Sequence, residues 1–110
     1  MTTQTRFTPG KWQNMEGFPC YVETEAGLPI AVTHPHEIAH REAVDGVDCP
    51  DLDECIANGI LLAAAPRLYA ELDHLVSLLE PLEQSGALNV PGLATLNAAR
   101  DALKQARGEV

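Results

Sequence analysis

The longest apolar segment of this chain of 110 residues runs from Ala57 to Leu72 and continues at helical spacing to Leu82. Its leucines and alanines recur every three to four residues, which is the pattern of an amphipathic helix. The part up to Leu72 contains no nucleophile, no pair of metal ligands and no phosphate-binding loop. It therefore predicts the helix on which the core forms, and it indicates no catalytic chemistry.

Pro66 divides this segment. Proline lacks a backbone N–H and disfavours helical geometry at the residue before it, so a helix over residues 55–82 must kink or restart there. Pro81, Gly86 and the sequence NVPG that follows them indicate a loop. Apolar residues again recur every three and four positions over residues 91–107, which predicts a last helix. We expect the two helices to pack as an antiparallel hairpin.

Apolar and polar side chains alternate within residues 10–34, as in a strand with one buried face. Phe18 and Val22 fall on one such face, and Gly27 supplies a turn before a second alternating run. These features predict a β-hairpin, with the segment near Trp12 as a possible third strand. Since a lone hairpin is marginal in water, its apolar face must rest on the helices. The predicted class is α+β: an N-terminal antiparallel β-hairpin or three-stranded sheet packed on a kinked C-terminal antiparallel helical hairpin.

The length predicts a single domain over residues 1–110, with residues 1–8 disordered and an acidic loop over residues 42–54. Sixteen acidic and seven basic residues give a net charge of −9. This charge disfavours direct binding to nucleic acids and anionic membranes, because phosphates attract clustered Lys and Arg. A local basic pocket is still compatible with a small nucleotide.

The cysteines are Cys20, Cys49 and Cys55, an odd count without a CxxC pair. This pattern favours free thiols in a reducing cytosol over a disulfide framework. The N-terminus has no signal-peptide core, and no apolar run approaches the ~20 residues of a membrane helix. We therefore expect a soluble intracellular protein that needs no cofactor.

Three blocks of the sequence stand out: TPGKW at 8–12, GLPIA at 27–31 and ANGILLAAAPRL at 57–68. In these blocks the chain resembles a widespread family of small phage and prophage proteins. The blocks match the family pattern TPGxW, GxxIA and ANARLIAAAPELLEAL in order and spacing, although Ile60 and Arg67 depart from it. The resemblance implies a phage protein in the cytoplasm of a bacterial host. The layout of β-hairpin and helical hairpin is also similar to that of phage sponge proteins, which counter Thoeris immunity by sequestering a cyclic nucleotide signal.

Residues 36–40 read HEIAH, a literal HExxH motif. On a helix, His36 and His40 would lie one turn apart and could bind zinc, with Glu37 as general base. The proline directly before the motif and the charged pair directly after it are instead typical of a short exposed turn. We therefore expect no catalytic residue, and only adventitious metal binding by His36 and His40.

Five residues are candidates for a ligand site, two on the core helix and three on the last helix. Asn58 shares the helical face of the core leucines, so either the hairpin backbone or a ligand should satisfy its amide. Gly59 would let a ring approach the backbone. Arg100, Lys104 and Arg107 recur at four and three residues along one stripe. Helix-dipole complementation and pairing with acidic residues would explain this stripe. The alternative is an anion site, which a dimer interface could complete.

These features predict a non-enzymatic phage accessory protein, with counter-defence by sequestering a small nucleotide-type signal as the leading function. One alternative is an acidic protein that inhibits a host defence or DNA-processing protein. The less favoured alternative is a zinc-dependent hydrolase based on HExxH. Because two helices and a small sheet leave apolar edges uncovered, we also expect a homo-oligomer.

Overall fold

The computed structural model describes residues 7–34 and 51–109. Predictions about residues 1–6 and 35–50 lie outside this part, including the HExxH motif and most of the acidic loop. The chain divides into two compact units: unit 1 comprises Met1–Pro9 and Arg67–Val110, and unit 2 is Gly10–Pro66. The strands are β1 (Trp12–Met15), β2 (Phe18–Thr24) and β3 (Pro29–Val32), and the helices are α1 (Leu52–Ala63), α2 (Ala65–Gln84) and α3 (Val90–Ala106).

The strands of unit 2 form an antiparallel sheet in the order β1-β2-β3, which confirms the α+β class and the third strand near Trp12. Gly27, in the turn between β2 and β3, has a φ of 87°. Glycine adopts this left-handed conformation more readily than other residues do. Val22 is buried as predicted. Phe18 was wrongly assigned to the same buried face: it is 57% exposed. It stands at the first position of β2, beside the turn from β1, and its ring packs edge-on against Tyr21.

Helix α1 packs on the sheet, mainly against β2. The Asp51 side chain caps its first turn by accepting a hydrogen bond of 2.8 Å from the Glu54 N–H. Cys55 and Gly59, one turn apart, are the buried residues of this helix. The Thr33 hydroxyl, just beyond β3, donates to the Cys55 carbonyl at 2.7 Å. The helix is therefore tied to the sheet by side-chain burial and by a hydroxyl group.

The helix restarts at Pro66, as predicted. α1 ends at Ala63, and α2 begins at Ala65, so Pro66 lies in a first turn where its missing N–H removes no intrahelical bond. Pro81 was wrongly assigned to a loop, because α2 continues through it to Gln84. A proline costs a helix one backbone hydrogen bond. Contacts with α3 on both sides of it, by Leu79 and Glu83, hold the last turn in place.

Helices α2 and α3 form the core of unit 1. Val76, Leu96 and Leu103 are buried at their interface. Around them lie the partly buried side chains of Tyr69, Leu72, Leu79, Leu88 and Ala99. The end of α3 contacts the start of α2, and the middle of α3 contacts the end of α2. These contacts confirm the predicted antiparallel hairpin.

We expect Gly59→Ala to destabilise the protein. A methyl group at Gly59 would lie 2.6 Å from the Pro19 carbonyl oxygen and 3.0 Å from Thr33 Oγ1. The Pro19 oxygen is strand backbone, so the helix and sheet would have to separate. Alanine normally stabilises a helix by about 1 kcal/mol relative to glycine. Here we expect the free energy of unfolding, measured by urea denaturation, to fall by about 1–3 kcal/mol.

The matched control is Asn58→Ala, because Asn58 is the preceding residue of the same helix and is exposed. Alanine has the higher helix propensity, so this variant should unfold at the same or a slightly higher urea concentration. A Gly59→Ala protein as stable as Asn58→Ala would contradict the close approach of α1 to β2.

Candidate functional site

Arg100 on α3 and Glu83 on α2 form a bidentate ion pair. Arg100 Nη1 donates to Glu83 Oε2, and Nη2 donates to Oε1, both at 2.8 Å. The same guanidinium donates to Asn97 Oδ1 at 3.1 Å and lies 4.0 Å from Glu80 Oε1. Two parallel hydrogen bonds between a guanidinium and a carboxylate are a strong and geometrically specific contact. The first residue of the predicted basic stripe therefore cross-links the two helices.

The pair also changes the acidity of both groups. Hydrogen bonds from Arg100 hold the pKa of the Glu83 carboxyl below its ordinary value and outweigh desolvation, which acts in the opposite direction. The bonds to Glu83 likewise raise the pKa of the Arg100 guanidinium. Both groups are thus held in their charged forms.

Arg107 caps the C-terminal end of α3 and connects it to the start of α2. Its Nη1 donates to the Tyr69 hydroxyl at 3.1 Å, and its Nη2 contacts Glu109 Oε2 at 3.1 Å. These hydrogen bonds, that to Tyr69 first, raise the pKa of Arg107. The Tyr69 ring meets the Phe7 ring edge-on at 5.2 Å. Arg107 Nε is buried and is the one such side-chain polar atom without a hydrogen-bond partner in the described residues.

Lys104 is exposed on α3 between these two arginines. Within residues 7–34 and 51–109 its ammonium group forms no ion pair. The structure thus places the three predicted cations along one helix, with two of them in contact with carboxylates of unit 1. An anion site here remains a prediction. Within the described residues, Lys104 is the cation of the stripe that no carboxylate neutralises.

Asn58 and Gly59 lie on α1 in unit 2, whereas the three cations lie in unit 1. The expectation that Asn58 points to the core is wrong, because its side chain is exposed. The sheet occupies the side of α1 that carries Cys55 and Gly59, so Asn58 needs no internal partner. The backbone that closely approaches Gly59 is that of Pro19 in β2. Ligand contacts by Asn58 or Gly59 stay predictions.

A pocket of about 200 Å³ opens beside β2 in unit 2. Its volume is below the roughly 300 Å³ at which small-molecule pockets typically begin. His34 supplies an imidazole and Tyr21 a phenol ring to a lining that otherwise consists of apolar residues, a cysteine and a glycine. The lining residues are Gly17, Phe18, Pro19, Cys20, Tyr21, His34, Leu52 and Ile56. This pocket has room for a single side chain or a very small ligand.

The proposed metal ligands His36 and His40 fall outside the described residues, as does Glu37. In the two described ranges, no three side chains of His, Cys, Asp or Glu converge as metal ligands. The zinc-hydrolase alternative therefore stays untested.

One side of α2 is an exposed apolar surface, whose leucines the sequence pattern had assigned to the core. Leu68, Leu75, Leu78 and Leu82 are 55%, 56%, 61% and 44% exposed, respectively, and we call them the α2 leucine face. Their apolar periodicity indicated burial, but α3 covers the neighbouring side of the helix, where Val76 lies. The sequence signal for an exposed seam was the seven-residue repeat of three of these leucines.

The charge of the chain is concentrated in one unit. Unit 2 contains ten acidic and two basic residues, a net charge of −8, whereas unit 1 contains six acidic and five basic residues, a net charge of −1. Such an asymmetry indicates different roles for the two surfaces. Among the helices of the described part, none has the length and apolar character needed to cross a membrane.

Comparison with known proteins identifies one family. The family model described as Salmonella phage P22 protein Y8K6 matches residues 1–110. No curated protein and no solved structure matches the chain. The family match agrees with the phage resemblance of the sequence blocks.

We expect Glu83→Gln to make thermal stability less dependent on pH. A carboxyl whose pKa is lowered by folding stabilises the folded state at neutral pH. That stabilisation is lost as the pH falls through the unfolded pKa towards the lower folded one. Glu83→Gln should therefore unfold at a lower temperature than the wild type at pH 7, and the difference should shrink on acidification through this range. Circular dichroism melts at a series of pH values measure both effects.

Asp101→Asn is the control for this measurement. Asp101 is exposed on α3 and has no ion pair in the described part of the chain. The same change from acid to amide at Asp101 should leave the melting temperature at pH 7 close to that of the wild type. Equal effects of the two substitutions on the melting temperature would show that the Arg100–Glu83 ion pair adds no specific stabilisation.

Proposed function

The chain belongs to the family of Salmonella phage P22 protein Y8K6, and we propose from this premise that it is a non-enzymatic accessory protein that acts in the host cell by binding. Counter-defence is the role we assign to it. The partner we favour is a host defence or DNA-processing protein with a basic surface.

The concentration of negative charge in unit 2 carries this proposal. A net charge of −8 within residues 10–66 produces a field that attracts basic proteins and repels nucleic acids. Glu16, Asp51, Asp53 and Glu54 are exposed, so part of this charge is available at the surface. Proteins that act on DNA carry basic surfaces, because they neutralise phosphates. An acidic unit can compete with DNA for such a surface.

The internal contacts of the basic stripe favour a protein partner over a nucleotide. A phosphate at Arg100 would have to displace Glu83 from two hydrogen bonds of 2.8 Å. At Arg107 it would meet Glu109, which already contacts the guanidinium. Of the three cations, Lys104 alone forms no ion pair in the described part of the chain, and one surface lysine is a weak phosphate site.

We expect the double variant Glu16→Gln/Asp53→Asn to bind its host partner several-fold more weakly than the wild type. The complex of the wild type should weaken roughly tenfold between 50 and 300 mM salt, because surface charges are screened over a shorter distance. The measurement is quantitative mass spectrometry of host proteins retained by the immobilised chain, with heparin as a competing polyanion. The expected partner is basic and is displaced by heparin.

The control removes the same charge from unit 1 in the variant Asp73→Asn/Asp101→Asn. It should retain the partner as well as the wild type does. Proteins retained equally by both variants, or unaffected by heparin, would count against docking through unit 2.

Nucleotide sequestration is the second candidate, and the end of the helical hairpin favours it. The guanidinium of Arg107, whose Nε has no hydrogen-bond partner in the described residues, donates to the Tyr69 hydroxyl, and the Tyr69 ring meets that of Phe7. Lys104 precedes Arg107 by three residues, and its ammonium group forms no ion pair in the same part of the chain. Aromatic rings and cations are the groups that stack bases and neutralise phosphates.

If this candidate is correct, calorimetry with a panel of cyclic nucleotides should show saturable binding. Lys104→Ala should weaken it at least tenfold, because the variant removes the uncommitted cation. The sequence-based candidates Arg100→Ala and Asn58→Ala complete the set, with Asp101→Asn as a control that should bind normally. The absence of binding heat across the panel at high protein concentration would exclude sequestration of these ligands.

A further inference from the structure

The α2 leucine face is an exposed apolar surface that the proposed binding function does not use. About half of the apolar surface of α2 is packed in the core of unit 1. This half consists of Tyr69, Leu72, Val76 and Leu79, which face α3. The adjoining half consists of Leu68, Leu75, Leu78 and Leu82, each 44% to 61% exposed. We propose that this face docks on the same face of a second copy of the chain, in an antiparallel homodimer. The proposal does not rest on the binding function above.

The spacing of the leucines fits a second helix. Leu68, Leu75 and Leu82 are seven residues apart, and Leu78 follows Leu75 by three. Two α-helical turns span about seven residues, so the first three leucines form one nearly straight row, beside which Leu78 stands. This is the arrangement of positions a and d in a helix-pairing seam, where each side chain inserts between those of the facing helix. An extended strand or a flat surface would not require this repeat.

The charge distribution favours a second copy as the occupant. Unit 1 has a net charge of −1, so two copies of this unit approach each other with little repulsion. Two copies of unit 2, each with a net charge of −8, would repel each other strongly. Two-fold pairing also makes the surface complementary to itself, as the interface of a symmetric dimer must be.

Glu71 determines the orientation. It stands three residues after Leu68, at the position in the seam that corresponds to Leu78. In a parallel dimer the two Glu71 carboxylates would face each other within one layer. In an antiparallel dimer about an axis near Leu75 they lie eight residues apart along the seam, about 12 Å at the helical rise. That distance exceeds the screening length of about 8 Å at physiological salt, so the antiparallel arrangement avoids the repulsion.

The dimer should be of moderate affinity. Four half-exposed leucines per copy form a smaller surface than the roughly 800 Å² per partner of a standard interface. We therefore expect dissociation in the micromolar range, with the mass rising from one to two copies as concentration increases. High salt should not dissociate the dimer, because apolar contacts hold it and salt screens the remaining repulsion.

Sedimentation equilibrium of the full chain from 1 to 500 µM tests the proposal. The wild type should shift from monomer to dimer, whereas Leu75→Glu should remain a monomer throughout. Val90→Glu is the matched control: Val90 is 80% exposed at the start of α3 and outside the seam, so this variant should dimerise like the wild type. Circular dichroism checks that each variant keeps its helices.

A gain-of-function variant keeps the test decisive if Leu75→Glu fails to fold. Glu71→Leu replaces the charged residue of the seam and should tighten the dimer at least tenfold. A wild type and a Glu71→Leu variant that both stay monomeric at 500 µM would overturn the proposal, including the case in which the chain itself covers the leucines in solution. An oligomer that forms equally well in Leu75→Glu would also overturn it, because another surface would then be responsible.

Discussion

Helix α1 can lie against β2 because residue 59 has no side chain. The Pro19 carbonyl occupies the space that a methyl group at residue 59 would need. The Thr33 hydroxyl, just beyond β3, lies beside the same position and donates a hydrogen bond to the Cys55 carbonyl of α1. The glycine lowers the helix propensity of α1. This cost is offset by close packing, which buries Cys55 and Val22 between the helix and a sheet of only three strands. The arrangement of unit 2 thus depends on one position in its helix.

Unit 1 depends on polar contacts at both ends of its hairpin. Arg100 joins the middle of α3 to the last turn of α2, and Arg107 joins the end of α3 to the first turns of α2. Between these contacts the buried core is small, consisting of Val76, Leu96 and Leu103. The guanidinium groups whose spacing in the sequence is compatible with an anion site therefore align two helices. A ligand that used them would compete with the hairpin's own contacts.

Local periodicity predicted the elements well, and it predicted their surroundings poorly. The alternation near Val22 and the helical repeats around Pro66 and Pro91 located the sheet and the helices of the described residues, because these patterns reflect backbone geometry. The exposed positions of Phe18 and Asn58 could not be read in this way. They depend on which side of each element its neighbour covers, and that is decided by contacts between residues distant in sequence. The candidate site was predicted as Asn58, Gly59 and a row of three cations, but the spacing of Arg100 and Arg107 does not reveal their acceptors.

The exposure of the α2 leucine face likewise depends on which elements pack against α2. A repeat of leucines around half a helix shows how wide its apolar arc is, but it does not show how many neighbours share that arc. In this chain one neighbour, α3, accounts for the side around Val76, and the row containing Leu75 is left for another. Pairing through the nearly neutral unit 1 would present two copies of the acidic unit 2 to a partner.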